Sequence, residues 1–146
     1  MNNKPITESL NIALADSYAL YLKTHNYHWN VVGPSFRSLH MMFEDQYTDL
    51  AVAVDDIAER IRSLGEKAPG TFSEFSELTS IKEGDKNASA NDMVKDLAQS
   101  QDQIVGSLKE ALNIAQKADD EVTADLLIGR MAIHEKAAWM LKSTTI

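Results

Sequence analysis

The chain has 146 residues, which is enough for one domain with a real hydrophobic core and too few for two ordinary domains. Its formal net charge is -8 and it contains no cysteine, which excludes disulfides, thiolate metal sites and a cysteine nucleophile. An acidic surface attracts cations and repels nucleic-acid phosphate. The sequence shows no signal peptide, and no apolar span approaches the roughly 20 residues of a membrane helix, so we expect a cytoplasmic protein.

Apolar residues at helical spacing predict four long helices, and the first two lie before residue 65. The first helix is expected over residues 6–31, with Thr7 as its N-cap, and the Gly33-Pro34 step ends it. The second is expected from about Ser35 to the residue before Gly65. Its predicted inner stripe comprises Leu39, Phe43, Gln46, Leu50, Ala53, Ile57, Ile61 and Leu64.

Residues 65–89 form the least regular stretch and predict a long connection between the second and third helices. Within it, the segment TFSEFSEL predicts a short helix, with Phe72 and Phe75 anchoring the connection. A connection of this length lets the third helix run parallel to the second instead of turning straight back. The sequence therefore predicts an all-α four-helix bundle with a long crossover that contains a short helix.

The third and fourth long helices follow this crossover. Ser89 with Asp92 approximates a capping box at the start of the third helix. The fourth is expected from about Glu121 to Lys142. Its predicted inward residues are Leu126, Gly129, Ile133, Ala137 and Met140 or Leu141. With no strand-like alternation and no internal repeat, residues 1–146 are expected to form a single domain.

Candidate metal ligands concentrate in residues 24–64, which hold three of the four histidines. His40 and Glu44 are four residues apart, and so are Asp55 and Glu59, so each pair shares one face of the second helix. Nitrogen and oxygen ligands of this kind suit a first-row divalent metal.

The two ligand pairs on the second helix are too far apart for one ion. The eleven-residue step from Glu44 to Asp55 corresponds to about 16 Å of helix. Two copies of the helix crossing antiparallel about a two-fold near residues 49–50 would place Glu44 opposite Asp55 of the other copy. The same operation places His40 opposite Glu59. An isologous contact makes two such sites at once, so we infer a metal site shared between subunits.

Each ligand also has an ordinary structural interpretation. His28, at the end of the first helix, can reach the site across the short turn, although a histidine there is more often a capped or core residue. Asp55 and Glu59 taken alone are typical of a solvated helix face.

The motif His28-Trp29-Asn30, followed by Val-x-Gly, His40 and then Asp55-Asp56-Ile57-Ala58-Glu59-Arg60, resembles the Dps family of the ferritin superfamily. The segment from Lys117-Ala118-Asp119-Asp120 to Trp139 is also similar, so the resemblance covers nearly the whole chain. It implies a ferritin-like four-helix bundle assembled as a hollow dodecamer. It also implies oxidation of Fe(II), preferably with hydrogen peroxide, storage of ferric mineral and protection against oxidative damage.

The resemblance implies particular ligands for Fe(II) and Fe(III). His28 and His40 of one subunit and Asp55 and Glu59 of its two-fold mate match the family's ferroxidase ligands. Glu44 stands where members usually carry Asp and is expected as a further metal ligand. Zn(II) suits the same ligands and is an expected competitor. Ordinary ferritins instead use Glu-x-x-His within one bundle, a motif that this sequence lacks.

Two further features have both a functional and a structural interpretation. The resemblance implies an acidic pore for iron entry, lined by Asp119, Asp120 and Asp125, whereas carboxylates at a helix N-terminus have a simple electrostatic explanation. It also implies that Trp29 lies near the iron and donates an electron, whereas a tryptophan is more often a packing residue.

Three other residues have structural interpretations. His25 is expected at the surface or supporting the site. Arg60 is either a surface charge or the partner of Glu135 on the last helix, buried at a subunit contact. His134 is expected to face solvent or an interface.

The alternative function is a nucleoid-associated protein that binds and protects DNA, with little ferroxidase activity. Some members of the family bind DNA through lysine-rich tails. Here residues 1–6 carry only Lys4 and the final six residues only Lys142, so we expect weak or no direct DNA binding. A shell protein with a degenerate site is a third interpretation, and the presence of every principal ligand type disfavours it.

Overall fold

The computed structural model describes residues 2–144 and contains five helices in that range. They are α1 (Lys4–Asn30), α2 (Phe36–Ser63), α3 (Phe72–Leu78), α4 (Ala90–Lys117) and α5 (Glu121–Lys142). The four long helices form the bundle and α3 is the short helix of the crossover, as the sequence predicts. Residues 1, 145 and 146, which belong to the terminal segments considered above for DNA binding, lie outside the described range.

Helix α1 begins two residues earlier than the apolar pattern predicts. Its N-cap residue is Asn3 and Pro5 lies in the first turn, where proline's missing N–H costs no helical hydrogen bond. The prediction that Thr7 caps the helix is therefore wrong. Thr7 is buried inside the first two turns, and its hydroxyl donates to the Lys4 carbonyl oxygen at 3.2 Å.

The turn between α1 and α2 is short and depends on glycine. Gly33 has a φ of +120°, a conformation that L side chains rarely adopt, and α2 starts three residues later. Contacts at both ends show that the two helices are antiparallel. The Asn3 side chain donates to the Leu64 carbonyl oxygen at one end, and His28 contacts His40 at the other.

The contacts of α4 establish the crossover topology. Lys23 donates to Ser100 at 3.0 Å and Ser107 donates to Asp16 at 2.6 Å, so α4 is antiparallel to α1 and hence parallel to α2. Ser89 caps α4 by accepting from the Asp92 N–H, as predicted. Helix α5 then returns antiparallel beside α4, with His134 contacting Gln101.

Asp16 fastens the crossover to the bundle. This carboxylate is fully buried on α1, where it accepts from the Thr79 hydroxyl at 2.7 Å and the Ser80 N–H at 2.9 Å, in addition to Ser107. A second contact is steric, because a Cβ at Gly84 would lie 3.0 Å from the ring of Tyr27. The long connection is therefore held against α1 at two places.

The aromatic anchors of the crossover differ from the prediction. Phe75 is half-buried, and its ring stacks on Tyr18 with centroids 4.9 Å apart. Phe72 is 80% exposed in the single chain, so the prediction that it anchors the connection is wrong. Ile81 is the buried hydrophobic residue that sequence reasoning did not identify there.

The core is formed by one face of each long helix. Six of the eight predicted stripe residues of α2 are buried, from Leu39 to Ile61. The polar member of that stripe, Gln46, has side-chain amide atoms that are buried without a hydrogen-bond partner among the described residues. No helix within residues 2–144 carries an apolar stretch of the length and hydropathy that a bilayer crossing requires.

The buried face of α5 is displaced from the predicted one. Ala137 and Leu141 are buried as expected, whereas Gly129 and Ile133 are exposed and Leu126 is only half-buried. The inward residues are Thr123, Ala124, Leu127, Arg130, His134, Ala137, Ala138 and Leu141. The apolar pattern misleads here because this helix turns two polar side chains, Arg130 and His134, into the bundle.

His134 is buried, at 2% exposure, so the prediction that it faces solvent or an interface is wrong. Its Nδ1–H donates to the side-chain oxygen of Gln101 at 2.7 Å, and its Nε2 accepts from the Arg130 guanidinium at 3.0 Å. Arg130 also donates to Asp49 at 2.9 Å, which connects α5 to α2. Burial, followed by the charge of Arg130, lowers the pKa of His134 to about 3.

Candidate metal centre

Two histidines hold each other in place where α1 ends and α2 begins. His28 Nδ1 lies 2.7 Å from the His40 carbonyl oxygen, and His40 Nδ1 lies 2.7 Å from the His28 carbonyl oxygen. The two rings stack with centroids 3.7 Å apart and planes 15° from parallel. His28 is buried and His40 half-buried, so this reciprocal pair closes the hairpin at its turn.

The reciprocal bonds define which ring nitrogens remain available. A carbonyl oxygen can only accept, so both Nδ1 atoms must carry the proton. Each neutral ring then keeps its lone pair on Nε2, the state in which histidine binds metals. A backbone carbonyl on the other nitrogen is the usual support for a metal-bound histidine. The sequence places these histidines near one another, but it does not reveal this mutual orientation.

Glu44 lies one turn after His40 and adds a carboxylate beside the histidine pair. Its Oε1 atom is 3.9 Å from His28 Nε2, and its side chain is about half exposed. The carboxylate therefore stands on the side of the histidine pair from which Nε2 is reachable. No other acidic side chain within the described residues forms an ion pair with either histidine.

Asp55 and Glu59 form a separate carboxylate pair toward the other end of α2. Both side chains are exposed. The charge of Asp55 and a hydrogen bond with it raise the pKa of Glu59 above its ordinary value. The two carboxyl groups therefore adjoin closely, and a cation placed between them would relieve their repulsion.

The structure does not bring the two ligand groups together within one chain. Among residues 2–144, no three histidine, aspartate or glutamate side chains converge to hold a metal ion. His40 with Glu44 and Asp55 with Glu59 lie on one helix, α2, separated by about three turns, as the spacing predicts. The single chain thus carries two separate groups of candidate ligands, which are the two halves of the predicted site.

One face of α2 joins these halves. His40, Glu44, Thr48, Ala51, Asp55 and Glu59 follow each other in steps of four, four, three, four and four residues. All are exposed except the half-buried His40. The set is symmetric about the point between Asp49 and Leu50, with Thr48 and Ala51 as its innermost members. Two small residues at the centre allow close approach of another helix.

Aromatic rings surround the histidine pair. His25 is stacked between Trp29 and Tyr47, with ring centroids 3.8 Å and 4.2 Å away. Tyr47 also meets His28 edge to face at 5.0 Å. Burial and the neighbouring His28 lower the pKa of His25, which favours the neutral form of its ring. Trp29 is 58% exposed in the single chain and therefore is not a core packing residue there.

Asp120, one of the three predicted pore residues, has a structural role in this chain. It caps α5, accepting from the Thr123 N–H at 3.0 Å and the Thr123 hydroxyl at 2.6 Å. Burial raises the pKa of Asp120, but the Thr123 hydrogen bonds and the Arg60 charge outweigh burial and lower it. Asp119 and Asp125 are exposed, and Asp119 has a φ of +55°. The pore itself remains a prediction.

Arg60 forms a different contact from the one considered for it. Its guanidinium donates to Asp120 at 3.1 Å and to the Thr123 hydroxyl at 2.9 Å. Within the single chain Glu135 is exposed and Arg60 pairs with Asp120, so the pairing with Glu135 at a subunit contact stays a prediction. Arg60 instead ties the end of α2 to the start of α5.

Comparison with known proteins agrees with this architecture. Residues 7–145 match the model of the ferritin-like domain family. The chain is 43% identical over 141 residues to DNA protection during starvation protein 2 of Bacillus anthracis, covering 97% of each chain. It also superimposes on a Dps protein from Bacillus brevis with a TM-score of 0.94 at 40% identity, covering 98% of each chain.

A structure of lower sequence identity is described as part of a superfamily. A Dps protein from Vibrio cholerae, described as a member of a broad superfamily of ferritin-like diiron-carboxylate proteins, superimposes with a TM-score of 0.92 at 30% identity. That match covers 97% of this chain and 89% of the other. The helical bundle with its crossover is thus that of a ferritin-like protein. Within that class, the chain belongs to the Dps family.

Proposed function

We propose that the protein is a ferroxidase that oxidises Fe(II), preferably with hydrogen peroxide, and stores the ferric product inside a hollow homo-oligomer. The observation that carries this proposal is the division of one ligand set between two ends of the α2 face. One end has two available imidazoles and the other has two adjoining carboxylates. The ligand set becomes complete when the imidazoles of one chain meet the carboxylates of a second chain.

The proposed dimer follows from the symmetry of that face. A two-fold axis between Asp49 and Leu50 pairs Thr48 with Ala51 of the second copy at the centre. It pairs Glu44 with the second copy's Asp55 on either side. An isologous contact repeats this pairing, so one dimer contains two equivalent sites. A dodecamer would hold six such dimers around a common cavity.

The proposed chemistry uses iron as the substrate. Carboxylates favour the harder Fe(III), while neutral imidazoles orient the ion and moderate its affinity. Two ferrous ions supply two electrons to one hydrogen peroxide, which becomes two water molecules when two protons are taken up. Because both electrons arrive together, no hydroxyl radical is released. Zn(II) accepts the same ligands without any redox change and would compete with iron.

We assign iron entry to the acidic segment at the start of α5. Asp119 and Asp125 are exposed carboxylates beside the N-terminus of α5. Repeated around a three-fold axis, they would form a negative funnel that concentrates Fe(II). Asp120 contributes charge to the same segment, although its oxygens already serve the helix cap.

The test is anaerobic loading with Fe(II) followed by a pulse of hydrogen peroxide, with ferric absorbance followed in time. The variant is Asp55→Ala with Glu59→Ala. The matched control is Asp45→Ala with Asp56→Ala, which removes two exposed carboxylates from α2 outside the symmetric face. All three proteins are compared at equal assembled mass, measured by light scattering.

The natural chain and the control should oxidise iron rapidly. The site variant should be slower by at least about tenfold, the loss typical even of residues that only support a metal ligand. Equal rates in all three proteins would mean that Asp55 and Glu59 are structural. In that case the shell and DNA-associated functions become the leading alternatives.

A further inference from the structure

One face of α1 is covered by the crossover at only one of its two ends. Four rings on α1 follow each other in steps of three, four and four residues and so share this face: Tyr18, Tyr21, His25 and Trp29. Helix α3 packs on the Tyr18 end, where Phe75 stacks on the Tyr18 ring. The other end stays open in the single chain, and Trp29 there is 58% exposed.

The open end of this face forms a groove between α1 and the crossover. Its volume is about 820 Å³, and Leu22, Asn26 and Trp29 line it from α1. Leu22 is 49% exposed, so two large apolar side chains of the groove are left to solvent. Exposed apolar side chains gathered in a groove mark an interaction site.

Phe72 of α3 is an exposed apolar side chain that such a groove could receive. It is 80% exposed, although its neighbour Phe75 is half-buried. Phe72 borders a smaller cavity together with Val54 and Ala58 of α2. These contacts place Phe72 at the level of positions 54–58 along α2.

Contacts between α1 and α2 give the register of this antiparallel pair. His25 stacks on Tyr47, and His28 lies 3.9 Å from Glu44, so residues at the same level have numbers that add to 72. Positions 54–58 of α2 therefore lie level with positions 14–18 of α1. The smaller cavity agrees, because its α1 lining comes from those two positions. Phe72 thus lies beside the first half of α1.

The two-fold axis proposed above moves this level to the Trp29 end of the second copy. The axis passes between Asp49 and Leu50, so positions 54–58 of one copy lie level with positions 41–45 of the other. On the second copy's α1 these are positions 27–31, with Trp29 at their centre. The axis runs across the two α2 helices in the plane between them, so both α1 helices stay on the same side. Helix α3 of each copy is therefore carried onto α1 of the other.

Two copies of α3 fit along one α1. The copy from the same chain lies at positions 14–18 and the copy from the partner at positions 27–31. These levels are thirteen residues apart, or about 20 Å, whereas a helix with its side chains is about 10 Å wide. The two short helices would therefore cover both ends of the face without overlapping.

We propose that α3 of a second copy closes the iron site on its aromatic side, with the partner subunit's Phe72 seated against Trp29. This inference rests on the two-fold dimer of the proposed function. Trp29 stacks on His25, which stacks on Tyr47, so the partner's ring holds this stack against the histidine pair. Phe72 is a positioning residue that excludes water from this side. The Glu44 side stays open to iron and peroxide.

The experiment uses cysteine cross-linking, which has no background because the natural chain contains no cysteine. One chain carries Phe72→Cys and a second, co-expressed chain carries Asn26→Cys, so a link between the two positions must join two subunits. The assembled protein is treated with a short bismaleimide, and peptide mapping identifies the linked positions. The negative control replaces Asn26→Cys by Ile12→Cys, on exposed α1 surface about 22 Å from position 27. Chains with Thr48→Cys and Ala51→Cys test the two-fold axis itself.

The pair Phe72→Cys and Asn26→Cys should give a covalent dimer, as should the pair at the axis, and the Ile12→Cys pair should give none. A link at the axis without a link from position 72 to position 26 would overturn the inference and leave the dimer intact. A link from position 72 to position 12 would also overturn it. No link at either place would overturn both the inference and the dimer, whereas the iron oxidation assay tests the activity separately.

Tryptophan fluorescence tests the same contact with Phe72 in place. Trp139→Phe leaves Trp29 as the single tryptophan of the chain. In this background, quenching of the assembled protein by acrylamide should increase with Phe72→Ala, because Trp29 loses its cover. Glu77→Ala is the matched control, since it trims an exposed side chain on another face of α3. Equal quenching in Phe72→Ala and its parent, at equal assembled mass, would show that Phe72 does not cover Trp29.

Discussion

His134 should make the stability of the protein depend on pH. The unprotonated ring is required in the native state, because its Nε2 accepts from the guanidinium of Arg130 and its Nδ1–H is used by Gln101. A second proton on the ring, at Nε2, would face the Arg130 guanidinium inside the bundle. Asp49 accepts from the same terminal nitrogen of Arg130, at 2.9 Å, and pairs with the guanidinium rather than with the ring.

The size and sign of the effect follow from the pKa values. The native pKa of His134 is about 3, and the ordinary value is 6.5. Between these values the unfolded chain binds a proton that the native chain does not, so stability falls as pH falls below 6.5. The slope is about 1.4 kcal/mol per pH unit, which gives about 2 kcal/mol at pH 5. Above pH 6.5 the group contributes no pH dependence.

The assay is urea denaturation of the natural chain and of His134→Gln at pH 7, 6 and 5. Glutamine has no titrating group and can still exchange a hydrogen bond with Gln101. The difference in unfolding free energy between the two proteins should narrow by about 2 kcal/mol from pH 7 to pH 5. Contributions from carboxylates and subunit contacts cancel in that difference, because His134 is buried within its own subunit. Parallel curves for the two proteins would refute this explanation of the buried histidine.

Two other predictions separate competing roles of charged residues. Asp120→Ala should lower stability by about 1 kcal/mol or more, because the cap of α5 is lost and Arg60 loses its partner. Equal stability of Asp120→Ala and the natural chain would show that the cap contributes nothing. Asp120→Asn should keep most of the cap. Slower iron uptake by Asp120→Asn at unchanged thermal stability would therefore assign the carboxylate to the pore as well. In a gel-shift titration of duplex DNA near 0.15 M salt at neutral pH, the acidic protein should show weak or no binding. Tight binding under those conditions would contradict protection through iron and peroxide removal alone.

Local signals in the sequence are sufficient to predict the helices and the positions of the two groups of candidate ligands along α2. Gly33, Pro34 and Gly65 mark helix ends through backbone geometry, which acts within a few residues. The separation of Glu44 from Asp55 depends only on helical rise. The predictions that were wrong concern contacts between residues far apart in the sequence. The contacts of Arg60 and His134 within the single chain were not predicted because polar side chains are buried only with partners, and those partners lie on other helices.

The same limit explains why the aromatic surroundings of the site were not predicted. Tyr21 and Tyr47 belong to different helices, and their contact depends on how α1 and α2 pack. For Phe72 the sequence predicts a packing contact that the single chain does not form, because an aromatic residue in a loop suggests an anchor whether or not other residues pack against it. Phe75, in contrast, stacks on Tyr18.

The reciprocal bonds between His28 and His40 have a consequence for judging activity in related sequences. Each ring donates to the backbone of the other residue, so both histidines are retained by the architecture of the hairpin even if no iron is ever bound. Their presence is therefore weak evidence that a given relative is active. Asp55 and Glu59 stand exposed, and the charge of Asp55 raises the pKa of Glu59, so the hairpin does not retain this pair in the way it retains the histidines. A relative that keeps both carboxylates is the better candidate for a working enzyme.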